Sequence, residues 1–151
     1  MIAFAAKTTS LALIVLALSA AAHASLGGVE ATVEADRAAA NATVRTQPGT
    51  RFTMHEMQAP SGTKVREYVS PAGVVFGVAW QGPSMPDLRQ LLGPYFDKYV
   101  DAMAARRTRR SPVFIELPDV VVQSSGHMRA FVGKAYLANG LPQGVTAQEI
   151  Q

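Results

Sequence analysis

The chain has 151 residues, 48% of them hydrophobic, with 14 basic and 11 acidic residues and no cysteine. That is the length of one domain rather than two. The missing cysteines exclude disulfide stapling, a lipid-bearing cysteine, a thiol nucleophile, Cys-ligated zinc, iron–sulfur clusters and c-type haem attachment.

Residues 1–24 read as a secretory signal peptide. Lys7 precedes an uninterrupted apolar run over residues 11–18, and Ala22-His23-Ala24 puts small residues where a signal peptidase reads them. The run is short of the ~20 residues that a spanning helix needs. Cleavage is expected after Ala24. Residues 25–151 would then form a single exported domain, periplasmic or secreted, with no membrane span and no lipid anchor. Lys7 is the one basic residue of the leader, and four of the other 13 are Arg106, Arg107, Arg109 and Arg110. The basic balance therefore reports one local patch.

In the exported part, Leu26-Gly27-Gly28 reads as a flexible lead-in and residues 29–42, rich in alanine, as an N-terminal helix with acidic residues ahead of a basic one. Gln47-Pro48-Gly49-Thr50 is a turn signal. Strands are expected over residues 51–58 and 64–70, separated by the turn Ala59-Pro60-Ser61-Gly62. Ser70-Pro71-Ala72-Gly73 is a further turn, with Pro and Gly where a type I turn prefers them. Val74, Phe76, Val78 and Trp80 then alternate with Val75, Gly77, Ala79 and Gln81. The period of two predicts a strand with a large core face and a small face open to close approach.

Ser84 is expected to cap a helix, with Pro86 in its first turn. Leu88, Leu91, Leu92, Tyr95, Phe96, Tyr99, Val100 and Met103 follow at helical spacing. Gly93-Pro94 must bend that helix or divide it in two. Short strands are expected over 113–117 and 119–123, a turn at Ser124-Ser125-Gly126, and a last strand over 127–137. Thr146-Ala147-Gln148-Glu149 fits a capping box. The fold class is α+β: a small antiparallel β-meander packed against one kinked helix, with an N-terminal helix.

Three separated stretches carry a resemblance: Arg66-Glu67-Tyr68-Val69-Ser70-Pro71; Val78-Ala79-Trp80-Gln81-Gly82-Pro83 with Met85-Pro86-Asp87-Leu88-Arg89-Gln90-Leu91-Leu92-Gly93; and Ser125-Gly126-His127-Met128-Arg129-Ala130-Phe131. With these the chain resembles the bacterial family called domain of unknown function 2844 over nearly the whole exported part. The resemblance implies an exported proteobacterial protein. It implies no activity and no catalytic residue.

The chemistry in the residues is sparse. There is no G-x-S-x-G, P-loop, G-x-G-x-x-G or H-E-x-x-H motif. His55 and His127 with Glu56 or Glu67 have no spacing that recommends a metal site, and no cofactor is expected. Ser125 and His127, with Ser124 and Asp119 nearby in sequence, are weak candidates for a hydrolase site, against the plainer reading of Ser124-Ser125-Gly126 as turn chemistry. Trp80 ends the patterned strand and reads first as core. It is also a candidate binding residue with Arg66, Tyr68 and Arg129, and the small face of Gly77 and Ala79 would meet the turn over residues 125–129. Arg106, Arg107, Arg109 and Arg110 suit a helix C-terminus or weak contact with an anionic envelope component; nucleic acid is not an expected partner. Two functions are open on these grounds, beside a structural reading as an oligomer formed through an exposed sheet edge. The first is a non-enzymatic binding or accessory module of the cell envelope, with an unknown envelope or extracellular partner. The alternative is a small hydrolase using Ser125 and His127.

Overall fold

The computed structural model describes residues 25–30, 43–106 and 111–151. The signal peptide, nearly all of the expected N-terminal helix, and Arg107, Arg109 and Arg110 lie outside these residues. Seven strands form one antiparallel sheet: β1 (Thr43–Pro48), β2 (Thr53–Gln58), β3 (Lys64–Val69), β4 (Val75–Gly82), β5 (Val113–Glu116), β6 (Val120–His127) and β7 (Ala130–Leu137). Their order is β1-β2-β3-β4-β7-β6-β5. The sheet is thus two meanders sewn together along β4 and β7. Among the described residues the fold is mostly β, with one α-helical stretch between β4 and β5, and not the smaller meander expected.

Short turns fix the first meander. Gly62, at φ 87°, closes the β2–β3 turn, and its N–H donates to the Ala59 carbonyl at 2.9 Å. Gly73, at φ 77°, does the same in the β3–β4 turn, donating to the Ser70 carbonyl at 2.8 Å. Both carry the positive φ that glycine adopts without strain. β1 was not expected, because Pro48 reads as a turn. It closes the edge strand instead, where a residue without an N–H is tolerated.

The two faces of the sheet are covered differently. One packs Val65, Val69, Val78, Trp80, Val120, Val122 and Ala135 against Leu88, Leu91, Leu92, Tyr95, Phe96 and Tyr99 of the helical stretch. The other carries Tyr68, Phe76 and Ala79 and is covered by Leu141, Val145 and Ile150 of the segment after β7. The expected alternation in β4 is corrected by a bulge. Tyr68 pairs with Gly77 and Val69 with Val75, which leaves Phe76 as an extra residue. A bulge reverses the phase of everything after it. Phe76 therefore faces the C-terminal segment, while Val78 and Trp80 face the helix.

The helical stretch is divided, not merely bent: α1 (Leu88–Leu92), a 3₁₀ turn (Gly93–Tyr95) and α2 (Phe96–Ala105). Asp87, not Ser84, is the N-cap: its side chain accepts from the N–H groups of Arg89 and Gln90 at 2.9 and 3.2 Å. Ser84 is held instead through its backbone, where Thr63 Oγ1 donates to its carbonyl at 2.8 Å. The Leu26-Gly27-Gly28 lead-in is pinned down. Leu26 is fully buried, its N–H donates to the Leu91 carbonyl, and the Gly27 N–H donates to the Val75 carbonyl.

The turn expected at Ser124-Ser125-Gly126 is strand. These residues lie in the ladder of β6, paired with Gly133, Val132 and Phe131. The reversal comes two residues later, at Met128-Arg129, where Arg129 takes φ 65°. Small residues are good turn formers, but here the β7 ladder holds all three in the sheet, with β5 beyond Ser124 and the Ser111 hydroxyl beside Ser125 and Gly126.

Candidate binding cleft

The face opposite the helix carries the cleft. After β7 the chain returns across this face as a 3₁₀ turn (Ala147–Glu149) and ends its crossing at Ile150 and Gln151. The capping box expected from Thr146 and Glu149 is present. Three cations hold the segment down. Arg51 pairs with Glu149 at 2.6 Å and also donates to the Gly144 carbonyl. Arg66 Nη1 donates to the Gln151 carbonyl at 2.8 Å, and the Tyr68 hydroxyl donates to it at 3.0 Å. Lys134 Nζ donates to the carbonyls of Ala147 at 2.7 Å and Ile150 at 3.2 Å. The fully buried Ile150 occupies the close approach expected over the small face of β4: a Cβ on Gly77 would lie 2.8 Å from Ile150 Cδ1.

Beyond Ile150 none of the described residues covers the face. A cleft of about 500 Å³ runs over β7, β6 and β5, with Ile150 and Gln151 at one end and Phe114 at the other. Val132 and Lys134 of β7 and Gln123 and Ser125 of β6 line it between these ends. The lining is mainly apolar, and Phe114 and Val132 are 56% and 50% exposed. That size falls within the range of small-molecule sites.

The candidate residues are distributed as follows. Arg66 and Tyr68 share the cleft-side face and clamp Gln151. Trp80 lies on the opposite face, 2% exposed, so the three do not border one groove. Its Nε1 has no hydrogen-bond partner among the described residues. Arg129 is exposed in the β6–β7 turn. Ser125 lines the cleft, and its Oγ meets Ser111 Oγ at 3.3 Å. His127 is exposed at the end of β6, two residues along the same strand face. Asp119 stands just before the opposite end of that eight-residue strand, paired with Lys98, whose hydrogen bond holds its carboxyl below the usual carboxylate range. The strand's length, ~3.3 Å per residue, keeps Asp119 apart from His127. Gly77, Ala79 and Ser125 do share one face, with Ile150 and Lys134 between them.

His55 is on the helix-side face. Its Nδ1 meets Thr46 Oγ1 at 3.0 Å and its Nε2 meets Glu30 Oε1 at 3.3 Å. Four strand spacings of ~4.8 Å separate β2 from β6, so His55 and His127 share no site. Among the described residues no group of three His, Asp or Glu side chains could hold a metal ion. Nor is any helix among them long and apolar enough to cross a membrane.

Lys134, Phe114, Val132 and Ile150 were not singled out from the sequence. A signal existed for Lys134, the one charged residue within the eight residues of β7. A lysine within an apolar strand has to reach either solvent or partners. Nothing local tied Phe114 to Ile150, because the sheet order and the returning segment bring them together.

An antiparallel seven-stranded sheet, with a divided helix on one face and its own C-terminal segment across part of the other, defines a small β domain with an open cleft. The chain belongs to the family described as a protein of unknown function, DUF2844, whose model matches residues 22–150. No curated protein and no solved structure matches it.

Proposed function

We propose that the protein is an exported, non-enzymatic binding module of the cell envelope, and that it takes its ligand in the cleft between Ile150 and Phe114. The cleft itself is the observation that carries the reading. Half-exposed apolar side chains line a concavity of ligand size, with a few polar groups among them. The Ser125 hydroxyl meets Ser111 rather than an imidazole, which favours binding over hydrolysis. The charged residue, apolar run and Ala-x-Ala site of residues 1–24 support export.

The test is to express the full-length chain in a Gram-negative host, fractionate the cells, and record native mass spectra of the protein from the periplasmic fraction. A chain starting at Ser25 and carrying a small-molecule adduct is expected. Val132→Glu, on the exposed cleft wall, should lose the adduct. An uncleaved chain in the cytoplasm would end the export reading. A processed chain that carries no adduct in any fraction would end the binding reading.

A further inference from the structure

We infer that the cleft takes an amphipathic monocarboxylate, an unbranched acyl chain whose carboxylate sits on Lys134; this rests on the binding-module reading above. Lys134 is the cation in the cleft lining. Arg51, Lys64 and Arg66 on the same face each meet a carboxylate: Glu149 for the first, Glu56 for the other two. Lys134 is half-buried in the cleft wall, and its partners are two neutral carbonyls. Among the described residues no carboxylate lies within ion-pair distance of it. An ammonium has three donors. One donor and the whole positive charge therefore remain for a ligand, and a single cation calls for a single negative charge.

The apolar part of the ligand is set by Val132, Phe114 and Ile150. About a dozen methylene-sized groups, each near the ~30 Å³ of a water molecule, fill most of the cleft. Gln123 pairs with Lys134 across the β6–β7 ladder, so its amide stands beside the headgroup position. A peptide strand is a poorer fit. It would add to the β5 edge in the plane of the sheet. That leaves the cleft unfilled, and leaves Lys134, two strands in from the edge, without an anion.

The experiment titrates the protein purified after full-length expression with dodecanoate, decanoate and the neutral alcohol dodecanol, each below its aggregation threshold. Calorimetry and Trp80 fluorescence are the readouts; the indole lies directly beneath Gly133 in the cleft floor. Dodecanoate is expected to bind one to one. It should bind at least tenfold more tightly than dodecanol, because a charge-assisted contact is at stake, and about tenfold more tightly than decanoate, which has two fewer methylenes. Lys134→Gln should remove the preference for the carboxylate, so that this variant binds dodecanoate no more tightly than dodecanol. Because Lys134 also holds the C-terminal segment, Val132→Glu is the second variant; it adds a negative charge at a half-exposed position and should abolish dodecanoate binding. Equal affinity for dodecanoate and dodecanol, or wild-type dodecanoate binding by both variants, overturns the assignment. If dodecanoate fails to bind but an adduct of another class is carried from the envelope, the ligand class falls and the binding reading stands. If neither is found, both fall.

Discussion

Gly133 and Trp80 are directly paired residues of β7 and β4, and the indole occupies the space that a side chain on Gly133 would need. A Cβ there would overlap Trp80 Cζ2 and Cε2, and would also lie 2.7 Å from the Gln123 carbonyl oxygen. Neither neighbour can move away cheaply, since one is a ring packed in the core and the other is backbone. Gly133→Ala is expected to destabilise the fold by about 1–3 kcal/mol through overpacking. Urea unfolding followed by Trp80 fluorescence measures this. An unchanged midpoint would show that the ring is not seated on the glycine.

Ile150 and Gly77 form a second such pair, and here the clash can be relieved. The nearest atom to a Cβ at position 77 is Ile150 Cδ1, which Ile150→Val removes. Ile150→Val alone should cost about 0.5–1.5 kcal/mol. Combined with Gly77→Ala, the loss should be smaller than the sum of the two single losses. A strictly additive double mutant would mean that the C-terminal segment does not insert over β4.

Acid should weaken the clamp on that face. The Arg66 hydrogen bond at 2.7 Å holds the Glu56 carboxyl below its ordinary value of 4.5, with burial opposing the shift. A carboxylate whose folded-state pKa is depressed contributes stability above its unfolded value, and that contribution is lost as pH falls through the folded one. The stability difference between wild type and Glu56→Gln should therefore be constant above about pH 5.5 and shrink toward about pH 3. Chemical unfolding at several pH values reads it out, and a difference that grows on acidification would contradict the pairing.

The start of α1 separates two serviceable caps. Asp87→Ala should cost about 1 kcal/mol, and Asp87→Asn much less, because asparagine caps nearly as well. Ser84→Ala should change little, since Ser84 is held through its backbone. Thermal melts of the three variants decide the matter; a larger loss at Ser84 would move the helix start.

Where local chemistry and tertiary pairing agree, the elements were legible in the residues. Turns built on Gly62 and Gly73 lie where glycine with positive φ is needed, and the Leu88–Tyr99 stripe finds the core it implies. The Thr146–Glu149 capping box is equally local and was equally readable. Expectations failed where a long-range partner overrode a local preference. Ser124, Ser125 and Gly126 favour turns, yet the ladder with β7 holds all three in register, and β5 pairs with Ser124 on the other side. Phe76 looks in phase with Val78 until the bulge opposite Tyr68 turns it to the other face. The cleft was the least legible feature. Its walls come from β5, β6, β7 and the segment after them, and no stretch of sequence holds two opposing walls together.

The sheet order has a consequence for the time at which the fold can close. Synthesis runs from the β1 edge inward to β4, then jumps to the other half, and β7, the last strand made, is the one that joins the halves. Until residue 137 has emerged, β4 has one unpaired side and the core beneath Trp80 lacks Gly133 and Ala135. A partly made chain therefore presents an open sheet edge in its middle rather than at its margin, and an exposed edge invites pairing with other chains. Among the described residues, the finished sheet is bordered by β1, whose last residue is Pro48, and by the four-residue β5.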